Sequence, residues 1–182
     1  MKILAISGST RKESYNTHLL QAFVDVVSEI DSSVEVKLIT LNHIPMFNQD
    51  LEHSLPSEIT ELIKNATEAS GIIISTPEYG NMIPGVVKNA TEWLSRTYSS
   101  DSIKDKPLAI VGASTGGFGT VRAQNQLLLL GMLLKMRANA GLRLPISNAK
   151  DVFDENGVLV DADVRLKLET FAKDFISFIR KS

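Results

Sequence analysis

The chain has 182 residues, of which 43% are apolar and 22% charged, with a formal net charge of -2 and no cysteine. That length suits one domain, at roughly 150 residues per domain, and such a domain buries about 70% of the surface its unfolded chain would expose. The charge offers no general attraction for nucleic acid or an anionic membrane, and the missing cysteines exclude disulfides, thiolate zinc sites and cysteine nucleophiles, in keeping with a reducing, cytoplasmic setting.

In chain order, "KILAIS" (2–7) reads as a first strand, its apolar run from Ile3 to Ile6 being too short for the core of a signal peptide. Leu19, Leu20, Phe23, Val27 and Ile30 then recur at spacings of three and four, which predicts a helix from about Asn16. "VEVKLI" (34–39) is a second strand, and a longer connection over 41–54 contains Pro45. A helix follows in which Pro56 stands near the first turn and Ile59, Leu62, Ile63 and Ala66 mark the inner side.

"GIIIST" (71–76) is almost wholly apolar, as expected of a central strand covered on both faces. Beyond "PEYGNMIPG" a helix carries Val86, Ala90, Trp93 and Leu94 in register, and "LAIVGA" (108–113) is the fourth strand. A helix over about 120–135 contains "LLLLGMLL" (127–134), the longest apolar run, which Lys135 and Arg137 end well short of a membrane span; it reads as a buried helix or a subunit contact. A short strand near 137–142, a turn at "DENG" (154–157) and a helix with Val164, Leu168, Phe171, Phe175 and Ile179 on one stripe complete the chain.

Strands alternating with helices are the signature of βαβ units and a parallel sheet. The expected architecture is one α/β domain over 1–182, a three-layer sandwich with a five-stranded sheet of flavodoxin-like order 2-1-3-4-5. In such a sheet ligands bind beyond the carboxyl ends of the strands, where the order reverses. The segments leaving strands 1, 3 and 4 are "SGSTRKESYN", "TPEYGNMIPG" and "GASTGGFG", the three most unusual stretches of the chain, and the topology brings them to one rim.

The first supplies backbone N–H groups at a helix N-terminus, donors from Ser9, Thr10, Ser14, Asn16 and Thr17, and the charge of Arg11. It reads either as an anion site or as a polar turn in which Ser14 or Asn16 caps the helix. In the second, Pro77 and Pro84 stiffen a loop whose apolar side chains and N–H groups suit a flat heterocycle; the plainer reading is a turn before a helix. The third matches G-x-S-x-G at "GASTG" (112–116), but His18, His43 and His53 all precede Ser114, the wrong order for an α/β-hydrolase, so the match is read as accidental and the histidines as surface or packing residues. "GGFGTV" (116–121) has Arg122 where a dinucleotide fingerprint has its last glycine. No triphosphate loop and no metal-ligand cluster is expected. Gly112, Gly116, Gly117 and Gly119 point instead to backbone that comes close to a ligand ring.

On these residues the whole chain resembles the NADPH-dependent FMN reductases, flavodoxin-like proteins with azo-, quinone- and chromate-reducing members. "GSTRKESYN" is similar to the family's G-S-x-R-x-x-S-x-N phosphate loop, and "TPEYGNMIPGVVKNATEWLSR" to its P-E-Y block with the following helix. The resemblance implies that Ser9, Thr10, Arg11, Ser14, Tyr15, Asn16 and Thr17 form the FMN phosphate loop. It further implies that Pro77, Glu78, Tyr79, Gly80 and Asn81 line the isoalloxazine, with Ser114, Thr115, Gly116 and Gly117 at its other edge. Many members carry Asn directly after P-E-Y, where this chain has Gly80 and then Asn81.

The implied activity passes a hydride from NADPH or NADH through FMN to a quinone, azo compound, free flavin or metal oxyanion, with no dedicated acid–base pair and no metal. The alternative is a flavodoxin-like electron carrier or flavin-binding sensor without NAD(P)H turnover. Carriers of that kind are usually markedly acidic, and a charge of -2 argues against it. The apolar run at 127–136, next to the helix holding Trp93, points to a homodimer or homotetramer with a flavin near each subunit boundary.

Overall fold

A computed structural model describes residues 1–181, so that the last position of the expected domain, Ser182, lies outside the described residues. Five strands, β1 (Lys2–Ser7), β2 (Glu35–Thr40), β3 (Gly71–Ser75), β4 (Pro107–Ala113) and β5 (Arg137–Ile146), form one parallel sheet in the order β2-β1-β3-β4-β5. Six helices, α1 (Tyr15–Ile30), α2 (Ser57–Glu68), α3 (Gly85–Leu94), α4 (Val121–Leu133), the one-turn α5 (Ala149–Val152) and α6 (Ala162–Arg180), connect and cover it. Among the described residues no helix is long and apolar enough to cross a membrane.

Alternation of side chains along each strand divides the core into two layers. Ile3, Ala5, Ile73, Ala109, Val111 and Ala113 face α1 and α6, which add Leu19, Phe23, Leu168, Phe171 and Phe175. Leu4, Ile6, Ile72, Ile74, Leu108 and Ile110 face α2, α3 and α4, with Leu62, Ala66, Ala90 and Leu127. Every residue of β3 and β4 is buried, which is why those strands read as unbroken apolar runs, whereas edge strand β2 has none. The expected stripe of α6 is buried in full; in α3 the deeply packed valine is Val87, with Val86 only partly covered.

Two elements differ from the sequence reading. β5 runs to Ile146 instead of ending near 142, because the pairing with β4 jumps from Leu108–Ala138 to Ile110–Arg143. The residues bulged out there, "NAGL", break the alternation that marks a strand. The long connection after β2 is also less loose than its length implies: Pro45 O accepts from Trp93 Nε1 at 2.9 Å and Asn89 Nδ2 at 2.8 Å, Phe47 N donates to Asn89 Oδ1 at 2.7 Å, and Phe47 meets Trp93 edge to face. Trp93 is thereby fully buried inside the protomer, so its ring serves the fold of the chain itself.

Candidate functional site at the carboxyl edge of the sheet

Parallel strands end at one edge, so the chain leaves β1, β3 and β4 on the same side. The exits are tied together: Gly8 N donates to Ser75 O at 2.7 Å, Thr76 N to Val111 O at 2.9 Å and Ser114 N to Ile146 O at 3.0 Å. Sheet order reverses between β1 and β3, and the segments 8–14, 76–84 and 114–120 rise around that point.

In the first segment, Ser14 is the N-cap of α1, its hydroxyl accepting from Asn16 N at 3.2 Å, as one of the two readings required. The cap leaves much of the loop unspent. The backbone N–H groups of Thr10, Lys12, Glu13 and Ser14 have no acceptor within the described residues, and Arg11, exposed at the tip, has no ion-pair partner there. No acidic side chain occupies the first turn of α1, so its positive dipole end is unopposed within the helix. Ser9 Oγ accepts from Arg11 N at 3.4 Å and helps shape the turn. Free N–H groups, a helix N-terminus and a guanidinium are a donor set that fits a phosphate dianion.

Three residues of this loop are engaged elsewhere. Asn16 is buried, its amide bonded to Ala113 O, Ala113 N and Ser75 Oγ, each at 3.0 Å. The Thr17 hydroxyl pairs with that of Ser7 at 2.8 Å, and the Tyr15 ring stacks on Phe153 with centroids 5.8 Å apart. His18 packs near the same aromatic pair, and its imidazole lies so close to Gly157 that a methyl group there would collide with it.

The second segment is a tight hairpin. Tyr79 and Met82 exchange N–H···O bonds of 3.0 Å in both directions, and Gly80 and Asn81 between them have φ of +57° and +64°. Two successive left-handed residues are the requirement of a type I′ turn, which glycine and asparagine meet at least cost. Glycine directly after P-E-Y therefore keeps the backbone course that an asparagine there could also follow. Pro77 and Pro84 are buried at the base, while Tyr79 and Met82 stand exposed at the tip. The Glu78 side chain is engaged within the fold: both of its carboxylate oxygens are bonded to the start of α4.

In the third segment Gly112 admits no side chain, since a Cβ would lie 2.1 Å from Thr120 Oγ1 and 2.4 Å from Thr76 O. The Ser114 hydroxyl donates to Gly119 O at 2.8 Å and accepts from Gly116 N at 3.3 Å; no histidine is among its partners, and the elbow-like motif is a structural turn. Thr115, Gly116, Gly117 and Phe118 are exposed on the same rim. Among the described residues no group of three or more His, Asp or Glu side chains could hold a metal ion.

A donor-rich turn at a helix N-terminus and a stiff hairpin at the switch point of a 2-1-3-4-5 sheet give the chain the architecture of the flavodoxin-like flavoproteins. The chain belongs to the NADPH-dependent FMN reductase family, whose sequence model matches residues 1–151. It is 30% identical over 180 residues to a 2-hydroxy-1,4-benzoquinone reductase of a Burkholderia species, with 99% of this chain and 97% of that one covered. To an NAD(P)H-dependent FMN reductase of Pseudomonas aeruginosa it is 34% identical over 166 residues, covering 91% and 88% of the two chains. The flavoenzyme FerB of Paracoccus denitrificans, an NAD(P)H:(acceptor) oxidoreductase, superposes with a TM-score of 0.89 at 26% identity over 99% of this chain and 97% of that one. The protein is accordingly an FMN-dependent NAD(P)H oxidoreductase acting on a small-molecule acceptor.

Proposed function

We propose that the single domain reduces quinone-type acceptors in the cytoplasm, with the FMN phosphate held by the segment 8–17. The observation that carries this reading is the set of N–H groups at Thr10, Lys12, Glu13 and Ser14 that have no acceptor among the described residues, gathered beside Arg11 at the N-terminus of α1. The bound flavin supplies the hydride and electron chemistry, so the protein's own task is binding and orientation. Ser9, Thr10, Arg11 and Ser14 meet the phosphate, while Asn16 and Thr17 act from beneath by fixing the loop to the sheet. Pro77 to Asn81 and Ser114 to Gly117 present backbone N–H and carbonyl groups to the edges of the ring. Tyr79 and Met82, exposed beside it, exclude water from the face where nicotinamide and acceptor alternate.

The quinone acceptor rests on the curated relatives, several of which are named as quinone reductases. The protein also works as a homodimer in this reading. Leu129, Met132 and Leu133 are 58%, 59% and 70% exposed on α4, and Leu129 and Leu133 border, with Met82 and Ile83, an apolar hollow of about 480 Å3 next to the hairpin.

The test is steady-state oxidation of NADPH and NADH by FMN-loaded protein with a benzoquinone, an azo dye, free FMN and chromate in parallel. The expected result is turnover with either nicotinamide and the highest kcat/KM for the quinone. A yellow protein that oxidises neither nicotinamide would be the electron carrier of the alternative reading.

A further inference from the structure

We propose that Glu78 is a positioning residue of the flavin site, one that sets the separation between the loop after β3 and the loop after β4 by gripping the first turn of α4. The proposal rests on the assignment of FMN to these loops.

A helix normally satisfies its first N–H groups with the side chain of its own N-cap residue. In α4 the N-cap is Thr120, which makes no such bond; its hydroxyl accepts from Gln124 Nε2 at 3.1 Å instead. The cap is supplied in trans. Glu78 Oε2 accepts from Arg122 N at 2.9 Å and from Ala123 N at 3.0 Å, and Oε1 accepts from Arg122 Nη1 at 3.1 Å. A second tie lies one turn further on, where Gln126 Oε1 accepts from Ile83 N at 3.0 Å. The two ties flank the Tyr79–Met82 hairpin and reach the same side of α4, because residues three and four apart share a helix face. The Glu78 side chain is only 11% exposed, so its bonds to the helix are little weakened by solvent.

The consequence falls on the third segment. Residues 114–120 are rich in glycine and run from the end of β4 to the start of α4. The β4 end is fixed by the sheet and by bonds from Ala149 N to Ser114 O at 3.0 Å and Asn148 N to Gly116 O at 3.2 Å, and Glu78 adds the tie at the α4 end. The direct link between this segment and Pro77 to Asn81 across α4 is thus a carboxylate that uses both oxygens on the helix. Its effect on the flavin is transmitted through α4 and reaches the ring end of the ligand, not the phosphate end.

The experiment titrates FMN and riboflavin into flavin-free wild type, Glu78→Ala, Glu78→Gln and Gln126→Ala by fluorescence quenching, and records the visible circular dichroism of the bound flavin and the melting temperature of each apoprotein. For Glu78→Ala, FMN and riboflavin should weaken by the same factor, about 10-fold for the loss of charge-assisted bonds, with an altered dichroism band. Glu78→Gln keeps one oxygen for the two backbone N–H groups and should recover most of the affinity and the band shape. Gln126→Ala, which leaves the carboxylate in place, should move both affinities in the same direction by less, and carries the test if Glu78→Ala does not fold. A lower melting temperature with unchanged affinities and dichroism would overturn the proposal, as would loss of FMN affinity alone. Wild type that binds neither flavin would overturn the FMN assignment itself.

Discussion

Asn16 and Ala113 are joined by a reciprocal pair of hydrogen bonds, Nδ2 to the carbonyl oxygen and the backbone N–H to Oδ1, both 3.0 Å long. The asparagine behaves like a neighbouring strand toward the last residue of β4 and also takes the Ser75 hydroxyl of β3 at 3.0 Å. One buried side chain from the first loop thereby fastens all three segments of the site at their roots. Replacing it with alanine strands a buried N–H and a buried carbonyl, and we expect Asn16→Ala to cost roughly 2–4 kcal/mol of stability. Denaturant unfolding of the flavin-free protein measures this; a loss under about 0.5 kcal/mol would remove Asn16 from the architecture of the site.

Arg11 is the opposite case, a charge with no ion-pair partner among the described residues. Arg11→Ala should change stability by less than about 0.5 kcal/mol. It should weaken FMN by roughly 10- to 150-fold, the loss of one charge-assisted hydrogen bond, and leave riboflavin affinity where it was. With FMN in excess, the turnover rate should fall far less than the affinity. Titration of both flavins into both proteins decides the point, and equal losses for the two would place Arg11 away from the phosphate.

Leu133 is 70% exposed at the end of α4, in a patch with Leu129 and Met132, which are likewise exposed. Leu133→Glu should leave the melting temperature of the protomer within a few degrees, because little buried area is lost, and should convert a dimer to monomers. Light scattering at micromolar concentration reads the mass directly. A wild-type monomer would overturn the dimer.

Asp31, at the carboxyl end of α1, has its pKa lowered to about 2 by the Ser33 hydroxyl and N–H and by Arg180 of α6. Because the folded value lies below the ordinary 3.8, the stabilisation is complete above that pH and disappears as the pH falls through about 2. Asp31→Asn should therefore be less stable than wild type at neutral pH, with the gap closing only in acid. Unfolding curves for both proteins from neutral pH down to about pH 2 test this. A gap that stays constant over the whole range would assign the effect of the substitution to packing.

The sheet order, the two-layer core and the rim of three loops were legible because each rests on local pattern. Unbroken apolar runs mark β3 and β4, spacings of three and four mark α1 and α6, and a strand followed by Gly, Ser, Asn and Arg marks the first loop. The motif resemblance carried the cofactor. The division of labour inside those motifs was not legible. Asn16 finds its partner 97 residues away and Glu78 meets α4 from 44 residues away, so neither side chain's part in the fold could be read locally. The bond from Trp93 to Pro45 spans 48 residues and has no local signal, while the extra length of β5 hides behind a bulge that breaks its alternation. Helices, strands and the donor-rich loops between them are written locally in the chain, since periodicity, caps and turn residues act over a few positions. Which polar side chain serves the fold and which remains for a ligand was decided by tertiary structure, because a hydrogen-bonding group is spent or free only according to what the rest of the chain brings within about 3 Å of it.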